Sequence, residues 1–266
     1  MALFGFIGVG NMGYPLLKAV IKTFGKEEVI YSDASAKRNQ EVMEETGIPS
    51  AASNISLVQN CKYLVLAVKP QYFPEVLGQI KDVVKKEHVV ISIAAGVTID
   101  RVSQGLNSSA RIVRAMPNTP AMVNKGMTGI SFMKVSFAEE EMDVLDRFFS
   151  SYGRYEVFDE KLMNAVVCAN GSSPAYVYMF IEALADSVVN YGIPRDKAYI
   201  LAAQTVLGAA AMVLETGEHP SKLKDNVCSP GGTTINAVKA LEENGFRNAI
   251  MKATDACYER SISLSK

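Results

Sequence analysis

Three glycines with the spacing Gly-x-Gly-x-x-Gly lie near the start of the chain, at Gly8, Gly10 and Gly13. The apolar run Leu3–Ile7 precedes them, and an amphipathic stretch follows. In that context the first glycine permits a tight turn, the second lets the backbone approach a pyrophosphate, and the third allows close helix–strand packing. The helix N-terminus offers free N–H groups to phosphates. Residues 3–33 are therefore predicted to form a Rossmann-type βαβ unit that binds a nicotinamide dinucleotide.

The end of this unit carries both acidic and basic residues. Asp33, just past the second strand, could accept hydrogen bonds from a ribose 2′-hydroxyl, which favours NAD. Lys37 and Arg38 follow closely, and a basic pair can hold the 2′-phosphate of NADP. The local chemistry leaves both cofactors open.

Other segments are predicted to end strands at the edge of the sheet where open α/β folds bind ligands. They are Ala67–Pro70, Ile93–Gly96 and Arg114–Pro120. Small residues in the first two leave space for the ribose and nicotinamide, and the third should border the nicotinamide. The residues expected to hold the cofactor are Gly8, Val9, Gly10, Asn11, Met12, Ser32, Asp33, Asn54, Ala67, Val68, Lys69, Pro70, Ala94, Ala95, Pro117 and Asn118.

A second motif, Ser-Pro-Gly-Gly-Thr-Thr at residues 229–234, leads into a predicted helix. Alone, it would be read as a Pro-Gly turn with a threonine cap. Together with other segments it makes the whole chain resemble the Δ1-pyrroline-5-carboxylate reductase family. Those segments are Gly5–Gly13, Ala67–Pro70, Ser92–Thr98, Arg114–Pro120, Gly171–Tyr176 and Glu215–Pro220.

The resemblance implies reduction of L-1-pyrroline-5-carboxylate to L-proline by hydride transfer from NAD(P)H, the final step of proline biosynthesis. Relatives mostly favour NADPH, so NADPH is the expected cofactor, with NADH as an alternative. The segment Ser32–Ser35 departs from the family, and its acidic residue Asp33 puts that preference in question.

The chemistry of a cyclic imine with a carboxylate agrees with the second motif. Such a substrate needs an anion pocket, a donor near the ring nitrogen, and hydride delivered to the C=N carbon. A glycine turn entering a helix supplies backbone N–H groups for the carboxylate. By resemblance, Thr234 is the catalytic residue that hydrogen-bonds the substrate ring, and Glu160 is a substrate-side carboxylate. The expected substrate-binding set is Glu160, Ser173, Asn226, Ser229, Gly231, Gly232, Thr233 and Thr234; Ser173 could equally be a helix cap.

The resemblance also implies a homodimer with interleaved helical domains, in which the 229–234 loop completes a site with the other chain's nucleotide domain. Some relatives form pentamers of dimers, which this sequence does not specify. The stretch Ala198–Leu214 carries no formal charge and favours a helix that needs partners on most sides. It falls short of the ~20 apolar residues of a membrane span and contains Gln204 and Thr205.

The order of elements indicates an α/β fold. Strand-like runs at 3–7, 29–31, 63–68, 89–94, 111–116, 129–133 and 156–158, with a weaker one near 50–52, predict a doubly wound, mostly parallel Rossmann sheet. Helices are expected between them at 12–23, 36–46, 55–59, 74–84, 99–105 and 137–152. Beyond the predicted boundary at Asp159 only helices are expected, at 162–169, 174–191, 194–215, 234–244 and 246–263. The predicted domains are a nucleotide-binding domain at 1–159 and an all-α dimerisation and substrate domain at 160–266.

The bulk composition excludes several classes of function. A net charge of −1 over 266 residues gives no reason to expect nucleic acid or a membrane surface as partner. Four scattered cysteines and two histidines form no metal-binding pattern, so no metal is expected. Isolated cysteines favour a reducing, cytoplasmic location. A cleavable leader would remove part of the first strand, so none is expected.

Two other functions start from the same glycine motif. A β-hydroxyacid dehydrogenase would need a catalytic lysine on the helix after the nucleotide domain, and Ala165–Tyr178 contains no lysine. A non-catalytic protein that senses NADP(H) would be expected to lack the substrate loop, which is intact here.

Overall fold

The computed structural model describes residues 1–106, 110–133 and 137–265. Contacts divide the chain into two units. The first comprises residues 1–172 together with 257–266, and the second comprises residues 173–256. The first unit thus extends past the boundary predicted at Asp159, because the segment after it packs against the sheet, and it also takes in the end of the chain.

The first unit is built on one sheet of seven strands. They are β1 (Ala2–Ile7), β2 (Val29–Ser32), β3 (Cys61–Leu66), β4 (Val89–Ser92), β5 (Arg111–Met116), β6 (Gly126–Ser131) and β7 (Gly153–Val157). The order across the sheet is β2-β1-β3-β4-β5-β6-β7. Among the strand pairs of the described residues, only β5–β6 is antiparallel. The prediction of a doubly wound, mostly parallel sheet is confirmed.

Helices cover this sheet. They are α1 (Gly13–Phe24), α2 (Ala36–Thr46), α3 (Asn54–Gln59), α4 (Phe73–Ile80), α5 (Ile99–Leu106), α6 (Glu139–Ser150) and α7 (Met163–Val166). In the central strands, alternate residues enter different cores: in β3, Tyr63 and Val65 belong to one cluster, and Leu64 and Leu66 to another. A sheet buried on both faces explains why its strands read as nearly continuous apolar runs.

Local differences from the predicted elements have physical causes. The weak strand near residues 50–52 is wrong; Ala51 donates one backbone hydrogen bond to Tyr31 (2.7 Å), but no ladder follows. The helix expected over 162–169 is interrupted, since α7 runs into a π turn at Val167–Gly171. The helix expected to reach residue 84 ends at Ile80.

The second unit is entirely helical within its described residues. It contains α8 (Ser173–Asn190), α9 (Arg195–Thr216), α10 (Pro220–Val227), α11 (Thr233–Glu243) and the first part of α12 (Phe246–Ser265). Helix α10 was not predicted, because it is short and only three of its eight residues, Pro220, Leu223 and Val227, are apolar.

The apolar core of the second unit is small. Its fully buried members are Ala185, Ala198 and Ala202, between α8 and α9. Large apolar side chains on α9 are exposed, among them Ile200 (69%) and Leu207 (53%). Helix α9 is also long and apolar enough to cross a membrane, by length and composition only. Large apolar side chains exposed together on one helix typically mark an interaction surface.

Candidate functional site

The glycine loop forms an open cradle between β1 and α1. Gly8 adopts φ +92°, and its N–H donates to the Ser32 carbonyl (2.8 Å). A Cβ on Gly13 would lie 2.2 Å from the Gly8 oxygen, so only glycine lets α1 approach β1 this closely. A Cβ on Gly10 would meet no atom within 4 Å. Space on the outer side of Gly10 is what a backbone needs to approach a pyrophosphate.

Helix α1 begins without a side-chain cap and without acidic residues in its first turn. The N–H of Tyr14 donates to the Gly10 carbonyl (3.0 Å), whereas the N–H of Gly13 has no capping side chain as acceptor and can point to phosphate oxygens. The loop and the helix end together fit a dinucleotide.

Asp33 holds the loop from the end of β2. One carboxylate oxygen accepts the N–H of Val9 (2.9 Å), and the other accepts the N–H of Ser35 (2.9 Å). Its own N–H and C=O are bonded to the side-chain amide of Asn39, at 3.0 and 2.8 Å. Asp33 is thus fixed at both backbone and side chain.

The basic residues after Asp33 are engaged elsewhere. Arg38 donates from Nε to the Val9 carbonyl (2.8 Å), pairs with Glu41 (3.0 Å), and lies over the Tyr14 ring (4.4 Å). Lys37 is 88% exposed, with its Nζ 3.9 Å from Glu41.

A cleft of about 760 Å³ runs along the carboxyl ends of β1, β2 and β3. The predicted cofactor residues that line it are Gly8, Gly10, Ser32, Asp33, Asn54, Ala67, Val68 and Lys69. One wall was not foreseen; it is formed by Asn39, residues 51–53, Tyr72, Glu75, Val76 and Gln79. Ser32 donates to the Asn54 side chain, which in turn donates to Gln79 (2.7 Å). This cleft has the position expected for the adenosine half of a dinucleotide.

The remaining predicted cofactor residues lie outside the lining of this cleft. Val9 is fully buried, and Asn11 lines a second cleft on the other side of the loop. Met12 is the N-cap of α1, and Pro70 begins a short 3₁₀ turn. Ala94, Ala95, Pro117 and Asn118 follow β4 and β5, further along the same sheet edge.

Asn118 belongs to a ring of hydrogen bonds behind that edge. Its side chain donates to the Asn170 carbonyl (3.1 Å) and accepts the N–H of Met127 (2.9 Å). Asn170 donates to the carbonyls of Met116 (2.7 Å) and Met127 (2.9 Å). The π turn places Asn170 for these bonds, and such turns are frequent at functional sites. Sequence reasoning missed Asn170, since nothing local signals a partner on β5 or β6.

Glu160 lies at the start of the segment that follows β7. Its Oε1 accepts the N–H of Ile99, the first residue of α5 (2.7 Å), and the guanidinium of the buried Arg114 (3.1 Å). Both bonds use Oε1, and the side chain is 31% exposed. Glu160 therefore joins the ends of β5 and α5 and can offer Oε2 to another donor.

The Ser229–Thr234 loop lies in the second unit, between α10 and α11. Gly231 has φ +67°, and the N–H of Gly232 donates to the Ser229 carbonyl (3.0 Å), which closes a tight turn. Gly232 caps α11, and a Cβ there would lie 2.4 Å from the Ser229 hydroxyl. Gly231 is thus favoured by its left-handed backbone conformation, whereas a Cβ on Gly232 would require the Ser229 side chain to rotate.

Most of the predicted substrate residues of this unit lie in the turn or next to it in sequence. Thr233 and Thr234 form the first turn of α11, and in the described part of the chain their hydroxyls and that of Ser229 have no hydrogen-bond partner. Asn226 is exposed in the last turn of α10, and Ser173 begins α8. Three free hydroxyls beside uncapped N–H groups can bind a small carboxylate.

A buried charge cluster in the first unit is centred on Glu141 of α6. Burial alone would raise the pKa of Glu141, but the ammonium of Lys62 (2.8 Å) and the guanidinium of Arg111 outweigh it and lower the pKa to about 2. Arg111 begins β5 and Lys62 lies in β3, so this cluster ties α6 to the sheet.

Comparisons with known families cover both parts of the chain. A family model described as pyrroline-5-carboxylate reductase dimerisation matches residues 160–264. A second, described as NADP oxidoreductase, coenzyme F420-dependent, matches residues 3–96.

Individual relatives match the chain from end to end. The pyrroline-5-carboxylate reductase of Escherichia coli (strain K12) is 46% identical over 265 residues, covering 98% of both chains. The reductase structure from Coxiella burnetii has a TM-score of 0.90 at 33% identity, covering 100% of this chain and 99% of that one. The Plasmodium falciparum pyrroline carboxylate reductase structure, with NADP bound, has a TM-score of 0.88 at 32% identity and covers 100% and 98%.

Proposed function

The chain belongs to the pyrroline-5-carboxylate reductase family, and on that premise we propose that it reduces L-1-pyrroline-5-carboxylate to L-proline with NAD(P)H, the last step of proline biosynthesis. The observation that carries this proposal is the end-to-end match to reductases of that name, with the Ser-Pro-Gly-Gly-Thr-Thr turn intact at the start of α11. A β-hydroxyacid dehydrogenase is disfavoured, because residues 165–178 provide no lysine.

The nucleotide side of the reaction is assigned to the first unit. NADPH, which a relative binds as NADP, supplies a hydride when bound. The open side of Gly10 and the start of α1 would take the pyrophosphate, and the cleft beside Asp33 would take the adenosine half. Ala94, Ala95 and Pro117, at the ends of β4 and β5, would border the nicotinamide. The Asn118–Asn170 ring would keep that border rigid.

The substrate side is assigned to the turn in the second unit. The backbone N–H groups of Gly231, Thr233 and Thr234 would bind the carboxylate, with Ser229 and Thr233 adding hydroxyl donors. The Thr234 hydroxyl would donate to the ring nitrogen. That nitrogen gains a proton from water, directly or relayed through a hydroxyl, while the neighbouring carbon gains the hydride, so the C=N bond becomes a CH–NH bond. Asn226, Ser173 and Oε2 of Glu160 are proposed as further substrate contacts.

Dimerisation and location complete the proposal. The dimerisation segment and the exposed apolar face of α9 support a homodimer, and we expect turnover to require it. A pentamer of dimers would be a further assembly of that dimer. All four cysteines are free thiols, which supports a reducing, cytoplasmic setting.

The proposal is tested by following the oxidation of NADPH and of NADH with pyrroline-5-carboxylate as the acceptor. We expect consumption that depends on the imine and yields proline. No consumption with either reductant, by protein that is folded and binds NADPH, would overturn the assignment. A small 2-oxo acid serves as a control acceptor, because a hydroxyacid dehydrogenase would reduce it and an imine reductase would not.

A further inference from the structure

The cleft next to the glycine loop has a fixed negative charge at the position where the two nicotinamide cofactors differ. NADPH carries a 2′-phosphate on its adenosine ribose, where NADH carries a hydroxyl. In Rossmann units this ribose lies at the end of the second strand, which here is Asp33. The question bears on the proposed function, since that reaction draws its hydride from one cofactor or the other.

Asp33 cannot turn away from an incoming phosphate without breaking bonds. Its two oxygens hold the N–H groups of Val9 and Ser35, both at 2.9 Å. Its backbone is held by Asn39 on both sides of the residue. An ionised carboxylate has about four acceptor positions, so two remain for ribose hydroxyls.

The basic residues nearby do not compensate for this charge. Arg38 is held by the Val9 carbonyl, Glu41 and the Tyr14 ring, and it lines the second cleft instead. Lys37 points to solvent beside Glu41. The charged residues that line the Asp33 cleft are one base, Lys69, and two acids, Asp33 and Glu75, so the net charge of the lining is negative.

We propose that Asp33 is the residue that sets the cofactor preference of this chain: its pinned carboxylate accepts the ribose hydroxyls of NADH and repels the 2′-phosphate of NADPH. NADH is then used alongside NADPH.

The test measures the dissociation constants of NADPH and NADH by titrating their fluorescence, without substrate, for wild type and Asp33 variants. Asp33→Ser removes the charge and opens room for a phosphate. Asp33→Asn removes the charge but keeps an acceptor for the Val9 N–H, so the loop stays anchored. We expect both variants to shift the affinity ratio towards NADPH by about tenfold or more, because a tenfold change needs only about 1.4 kcal/mol of charge repulsion. The kcat/KM ratio should move in parallel.

Glu44→Gln is the matched control, because it removes one negative charge from an exposed site on α2, the helix that follows Asp33. It should leave the ratio unchanged. If the Asp33 variants weaken the binding of both cofactors equally, Asp33 only stabilises the glycine loop and the proposal is wrong. If Lys37→Ala lowers NADPH affinity alone, the phosphate is held outside the Asp33 cleft and the proposal is also wrong. Failure of the proposed reaction would appear separately, as binding of either cofactor without imine reduction.

Discussion

The substitution Gly10→Ala tests whether Gly10 is needed for folding of the glycine loop or for binding of the cofactor. A Cβ on Gly10 would have no heavy atom within 4 Å, and the residue does not adopt a left-handed conformation. Gly10→Ala should therefore fold normally. Its stability should lie within about 1 kcal/mol of wild type, and slightly above it if the loss of unfolded-state entropy dominates.

Gly13→Ala provides the opposite case within the same motif. Its Cβ would lie 2.2 Å from the Gly8 oxygen and 2.9 Å from the Ala67 Cβ, so α1 would have to move by roughly 1 Å. Overpacking of this kind costs about 1–3 kcal/mol or more. The two substitutions add the same methyl group, but only the second should lower the melting temperature by several degrees.

Dinucleotide binding should respond differently. The methyl group on residue 10 would occupy the space through which the backbone approaches the pyrophosphate. We expect the dissociation constant of NADPH to rise by about 10- to 100-fold for Gly10→Ala, or roughly 1.4–2.7 kcal/mol. Circular dichroism melting and fluorescence titration measure the two effects on one sample. A Gly10→Ala protein that binds NADPH as tightly as wild type would refute the assignment of this loop to the pyrophosphate.

Three further substitutions test other parts of the account. Thr234→Ala should lower kcat by about 10²–10³-fold with the fold intact, as for loss of one positioned donor, and Thr234→Ser should restore most of it in the steady-state assay. Glu141→Gln should cost about 2 kcal/mol at neutral pH, after discounting for the exposure of Lys62. Because folding lowers the pKa of Glu141 from 4.5 to about 2, wild type should lose its extra stability over the variant as the pH falls from about 4.5 towards 2. Urea unfolding of both proteins across that range measures the difference in free energy of unfolding. A difference that does not change with pH would contradict the role of the charge cluster. Leu207→Glu, on the exposed face of α9, should give monomers by sedimentation and abolish turnover, whereas an unchanged dimer would place the interface elsewhere.

Periodicity alone predicted most of the first unit. Strands such as β5 and helices such as α2 have the predicted bounds, because a sheet buried on both faces requires continuous apolar runs and its helices require an apolar stripe. The glycine loop could also be predicted from the sequence, since Gly8 and Gly13 are needed for local steric reasons. The Ser229–Thr234 turn was recognised by family resemblance rather than by geometry.

Long-range pairing accounts for what the sequence did not reveal. Asn170 acquires its function from carbonyls on β5 and β6, more than forty residues away, and no local pattern encodes that. Asp33 was visible as an acid at the end of β2, but its anchoring by Val9 and Asn39 depends on how the loop and α2 meet. Helix α10 was missed because it has only eight residues, and five of them are polar.

Isotopic labelling tests most directly whether a hydride passes from NADPH to pyrroline-5-carboxylate. The enzyme is supplied with pyrroline-5-carboxylate and with NADPH carrying deuterium at the transferable position of the nicotinamide, and the product is analysed by mass spectrometry and NMR. Direct hydride transfer predicts L-proline with a single deuterium on the ring carbon that was the imine carbon, next to the nitrogen. Unlabelled proline, or oxidised cofactor without proline, would contradict it.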